Sequence, residues 1–164
     1  MIRNAVRAWI VEDDKMLFIK KSLPDAGIYY VLPGGAQEPD ETLEQSLQRE
    51  CLEELGLKMI DCKLLCIREY ISRNYEYSLI MKEVHALDFI YRCIPDSHMA
   101  PEYLQADIGQ IGIEWLSINE IKRSLMQTDH RLRKYTFPRT THDLLQEFLI
   151  EGIKEIYLGW DFGH

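Results

Sequence analysis

The chain has 164 residues, 46% of them hydrophobic and 28% charged, with a formal net charge of -8. That size and mixture suit one folded domain over residues 1–164 with a sizeable core. The acidic balance argues against extended nucleic acid as a partner, yet it allows a local basic pocket for a small polyphosphate.

Strand-like runs open the chain at residues 4–11 and 16–20, and the polar turn Glu12–Lys15 between them predicts an antiparallel hairpin. Pro24–Gly27 reads as a loop. A short strand over Tyr29–Leu32 ends at Pro33, where Gly34 and Gly35 permit a tight turn. A helix follows, then two runs rich in β-branched and aromatic residues, 58–70 and 77–93, expected to be long paired strands. Residues 95–101 predict an irregular loop, and residues 111–116 another strand. Ser117 and Glu120 have the form of a capping box opening a helix over 118–126. A third helix is expected over 141–150, stopped near Gly152, and a final strand over 156–160. Such a mixture of mostly antiparallel strands and interspersed helices predicts an α+β layered domain. Propensity leaves open whether one face of the sheet is covered or both.

The helix after the double glycine carries the chemistry. Thr42 and Gln45 form a capping box, acidic residues suit its N-terminal end, and Gly56 supplies the stop. Leu43, Leu47, Cys51 and Leu55 mark the buried stripe. At about 100° per residue, Glu54 projects within that stripe, Glu50 lies beside it and Glu53 lies further out. A solvated helix laced with pairs such as Arg49–Glu53 is the ordinary alternative. Carboxylates at the margin of an apolar stripe are costly without a positive partner, so a hard divalent cation is the expected companion.

Four cysteines, Cys51, Cys62, Cys66 and Cys93, sit in core-like surroundings and read as reduced thiols of a cytoplasmic protein. Cys62 and Cys66 lack a second pair with zinc-ligand spacing. No segment has the apolar length of a membrane span, so no membrane partner is expected, and the N-terminus lacks the pattern of a signal peptide. Apolar residues at the first strands or near Trp160 would permit a homodimer.

The segment Gly35 to Leu57 resembles the Nudix hydrolase signature, G-x5-E-x7-R-E-U-x-E-E-x-G-U, where U is a bulky aliphatic residue. Gly35, Glu41, Arg49, Glu50, Glu53, Glu54, Gly56 and Leu57 match, while Cys51 departs softly at the first U position. The resemblance implies an α/β/α sandwich around a mixed, largely antiparallel sheet. It also implies metal-dependent cleavage of the diphosphate linkage in a nucleotide, dinucleoside polyphosphate or nucleotide sugar. On that footing Glu50, Glu53 and Glu54, with the Gly34 carbonyl, would hold Mg²⁺ or Mn²⁺, and Glu41 would pair with Arg49 to orient loop and helix. A nucleotide-sensing or RNA-associated domain with little catalysis is the rival.

The general base varies in this family. Glu53, Glu102, Asp107 and Glu114 are its candidates here. Tyr70, Tyr75 and Tyr77 could stack on a base, though alternating aromatics also fill half-buried strands. Tyr75 sits roughly where the dinucleoside-polyphosphate hydrolases of the family have a tyrosine. The basic stretch from His130, with Arg131 and Arg133, could contact phosphates or simply form a solvated connector.

Overall fold

The computed structural model describes residues 1–71, 85–96 and 101–160. Its strands are β1 (Ile2–Trp9), β2 (Val11–Glu12), β3 (Lys15–Leu23), β4 (Gly27–Val31), β5 (Gly34–Ala36), β6 (Met59–Ile71), β7 (His85–Pro95), β8 (Gln110–Ser117) and β9 (Tyr157–Trp160). Its helices are α1 (Leu43–Leu55), α2 (Ile118–Met126) and α3 (Arg139–Leu145), the last continuing as a π-helical stretch over Gln146–Glu151. One sheet has the order β5-β1-β7-β6-β9; in the other, β3 pairs with β2, β4 and β8. The β1–β7 and β6–β9 pairings are parallel and the other five are antiparallel.

Alternation along the strands explains the layers. On β3, Leu17 and Ile19 join Leu47, Cys51 and Leu55 of α1 in one apolar cluster. Met16 and Phe18 point the other way, into a cluster with Ile121 and Leu125 of α2 and Leu144 and Leu145 of α3. Successive strand side chains alternate between faces, so sheets with apolar residues on both faces need helices on both. The fold is a three-layer α/β/α sandwich.

Three local expectations are revised. The first two strand-like runs do not form one long hairpin: only Val11 and Glu12 pair with Met16 and Lys15, while β1 joins β5 and β7 in the other sheet. The backbone crosses between sheets at Ile10, whose carbonyl accepts the Leu17 N–H at 3.0 Å. At the α2 entry only half of the capping box forms. Ser117 accepts from the Glu120 N–H at 3.5 Å, but the Glu120 carboxylate is taken by Lys134 at 2.7 Å and the Tyr135 hydroxyl at 2.8 Å. The third helix starts two residues early, at Arg139, and ends at the left-handed Gly152.

Among the described residues no helix is long and apolar enough to cross a membrane. Phe18 is fully buried and packs on Phe137 with ring centroids 5.4 Å apart. Phe18→Ala is expected to cost about 3–5 kcal/mol of stability, read as a lower urea midpoint with an unchanged slope.

Candidate active site

Helix α1 is fixed at both ends before any acid is placed. Thr42 Oγ1 accepts the Gln45 N–H, and Gln45 Oε1 accepts the Thr42 N–H, a complete capping box. At the other end Gly56 adopts φ +64°, and a Cβ there would meet the Glu102 carbonyl oxygen at 2.1 Å. Only glycine meets both demands. The last carbonyls of a helix lack internal partners, and residues 102–110 supply them. Leu104 and Gln105 donate backbone N–H groups to the Glu53 carbonyl, and Glu102 donates to that of Leu55. The buried Gln110 side chain donates to the Glu54 carbonyl at 3.0 Å and accepts from the Asp107 N–H at 3.0 Å. No residue pattern announces this clasp, because most of its donors are backbone N–H groups.

The three helix acids are graded by exposure in the order of their angular distance from the apolar stripe. Glu54 is 2% exposed, the Glu50 side chain 14% and that of Glu53 33%. Glu54 Oε1 accepts the Gly34 N–H at 3.1 Å and also shares a hydrogen bond with Glu50. Gly35 lies beneath Glu50, where an added Cβ would stand 2.5 Å from its Oε1. The β5 backbone thus forms a floor under the two carboxylates.

Arg49 organises the rest. Its Nε and Nη2 donate to the two oxygens of Glu41 at 3.1 and 2.8 Å, a bidentate pair. Nη2 also donates to the Ala36 carbonyl, and Nη1 to Glu50 at 3.0 Å. Glu53 stands further off, 3.6 Å from Nη1. Hydrogen bonds from Arg49 and from the Glu38 backbone hold Glu41 down at about 2. Burial, reinforced by the hydrogen bond with Glu50, pushes Glu54 up to about 8 against the opposing charge of Arg7.

The other acids considered as bases lie in different settings. Asp107 is within electrostatic reach of Glu54 and pairs with Lys21 at 2.5 Å. Burial works to raise Asp107, but the Lys21 hydrogen bond and charge prevail and keep it below the ordinary carboxylate value. Glu114 is the register partner of Phe18, on the sheet face turned away from α1. There it binds Lys20 Nζ at 3.0 Å and the Tyr30 hydroxyl at 3.1 Å. Glu102 meets α1 through its backbone.

Arg131 is widely exposed and paired with Asp129, and Arg133 donates to the Gln127 carbonyl at 2.8 Å. Tyr75 and Tyr77 lie outside the described residues. Among the described residues no three His, Cys, Asp or Glu side chains gather into a ready-made metal cluster. Glu50 and Glu54 stand as a pair of carboxylates over the glycine floor.

A family model described as the NUDIX domain matches residues 1–138. The chain is 28% identical over 110 residues to the uncharacterized Nudix hydrolase YvcI of Bacillus subtilis, covering 67% of this chain and 63% of that protein. It is also 28% identical over 90 residues to the nucleoside triphosphatase NudI of an Enterobacter species, covering 52% and 64%. Each match spans a little under two thirds of the relative's length. A solved NUDIX hydrolase from Nitrosomonas europaea is similar over 100% of both chains, with a TM-score of 0.68 and 22% identity, a likeness of fold.

The raised Glu54 has a signed consequence. An acid whose folded pKa is raised stabilises the fold fully below its unfolded value of about 4.5, and that contribution is lost as pH climbs towards about 8. The melting temperature of metal-free protein should therefore fall between about pH 5 and about pH 8. Glu54→Gln should flatten that fall, measured by thermal denaturation in chelator.

Proposed function

Because the chain belongs to the NUDIX family, we propose that it is a metal-dependent pyrophosphohydrolase cleaving the diphosphate linkage of a nucleoside diphosphate derivative. The observation that carries this reading is the adjacent Glu50 and Glu54 carboxylates over the backbone of Gly34 and Gly35. Their hard oxygens suit Mg²⁺ or Mn²⁺. Magnesium is commonly held by one or two carboxylates, with waters and substrate phosphates completing its octahedron, so a pair serves where a closed cage is missing. The nucleoside triphosphatase among the relatives supports a nucleotide as substrate.

In this reading Glu50 and Glu54 are the principal ligands, with the Gly34 carbonyl beside them and Glu53 assisting. A bound dication supplies charge neutralisation at the diphosphate and acidifies a coordinated water. Arg49 fixes Glu50 through its hydrogen bond, and Glu41 fixes Arg49. Both are positioning residues. Glu53 takes the proton from the attacking water. It is the most exposed of the three acids and stands further from Arg49 than Glu50 does, 3.6 against 3.0 Å, so it can turn towards solvent. Asp107 and Glu114 are already committed to Lys21 and Lys20. The same reading places the protein in the cytoplasm, with a homodimer permitted by exposed Ile2 and Val11.

Inorganic phosphate release should be followed across a panel of nucleotides, dinucleoside polyphosphates and nucleotide sugars, with coupling phosphatase or pyrophosphatase and either metal. Glu54→Gln should lower kcat on the best substrate by about 10²–10³-fold, the loss typical of a group that stabilises developing charge. Turnover of nothing on the panel, with no rise in melting temperature on adding millimolar Mg²⁺ or Mn²⁺, would overturn the proposal. Glu53→Gln should remove the acid limb of the pH–rate profile while keeping most of the metal-induced rise in melting temperature, which Glu50 and Glu54 carry. A retained acid limb would move the base elsewhere.

A further inference from the structure

Two thiols outside the carboxylate site face each other across β6 and β7. Cys62 and Cys93 are direct partners in the antiparallel ladder, and both belong to the apolar cluster beneath α1. Directly opposed residues of such a ladder have Cα atoms about 4.5–5.5 Å apart, within the window of about 4.4–6.8 Å that a disulfide spans. The Cys93 S–H has two acceptors in reach, the Tyr91 carbonyl at 3.5 Å and the Cys62 sulfur, and the second holds the Cys62 thiol below its ordinary value while Cys93 is driven above its own.

Access divides the two thiols. Cys93 is 2% exposed, whereas Cys62 is half-buried and lines a cavity of about 570 Å³ shared with Glu44, Gln45, Gln48 and Asp61. The depression is open to solvent, with Glu44, Gln45 and Asp61 exposed on its rim. At about 100° per residue, Glu44, Gln45 and Gln48 lie on one flank of the apolar stripe of α1 and the three site acids on the other. The cavity is therefore separate from the carboxylate site. Its two acids, Glu44 and Asp61, favour an occupant bearing an amine.

We propose that Cys62 is a thiol-exchange site for small amine-bearing disulfides, and that Cys93 resolves the adduct into a cross-strand disulfide. The Cys62 thiolate attacks one sulfur of R–S–S–R, expelling RS⁻ and forming Cys62–S–S–R. The Cys93 sulfur then attacks that of Cys62, and the Cys93 proton leaves with the second RS⁻ as RSH. Two protein thiols are oxidised to one disulfide, and one small disulfide is reduced to two thiols. The first adduct shares the cavity with Gln48, whose amide ties α1 to both the N–H and the carbonyl of Met59.

The folded protein should be incubated with cystamine, acid-quenched, and mapped by mass spectrometry without reduction. Wild type is expected to lose two of its four free thiols, with Cys62 linked to Cys93. Cys93→Ser should instead accumulate a stable cysteamine adduct on Cys62, with Cys93→Ala replacing it if serine prevents folding. Cys62→Ser should keep Cys51, Cys66 and Cys93 reduced. The proposal fails if Cys62→Ser loses thiols as fast as wild type, or if wild type keeps all four. It fails equally if the first adduct maps to Cys51 or Cys66.

Discussion

One guanidinium holds the acidic helix together. Arg49 binds both oxygens of Glu41, reaches the Ala36 carbonyl and contacts Glu50, joining the loop before α1, strand β5 and the helix itself. Without such a cation, acids this close to an apolar stripe would repel one another and oppose burial. Lysine could not substitute. Its single ammonium offers neither the planar fork that Glu41 requires nor a further face for Glu50. The geometry of the whole site is therefore referred to a side chain that need not touch a reacting atom.

The second constraint is the clasp over the helix C-terminus. Residues 102–110 donate to the carbonyls of Glu53, Glu54 and Leu55, and Gly56 donates to that of Leu52. Two of the three site acids thus have their own backbone carbonyls tied to a segment about fifty residues later in the chain, leading into β8. Gln110 links that loop's Asp107 to the backbone of Glu54. Position in space, rather than adjacency in the chain, couples Asp107 to the site.

Helix α1 was legible almost residue by residue, because its cap, stripe and stop are local signals carried by Thr42, Gln45, the leucines and Gly56. Even the order of burial of Glu54, Glu50 and Glu53 followed from angular position alone. Pairing partners were less legible. Nothing in Ile2–Trp9 announces a parallel neighbour more than seventy residues away, and the nearest strand-like run offered a plausible local hairpin. Glu120 shows the same limit: its spacing from Ser117 is that of a capping box, but Lys134 and Tyr135, brought up by the fold, take its carboxylate. Gln110 was invisible for a related reason, since a lone glutamine at the start of a strand has no distinguishing context.

Strand β3 bears on how the molecule comes apart. Its alternate side chains are floorboards for two separate rooms, Leu17 and Ile19 for one and Met16 and Phe18 for the other. A slip of one residue would exchange them wholesale. Neither apolar compartment can lose this strand and leave its neighbour furnished, so the two should melt in a single cooperative transition.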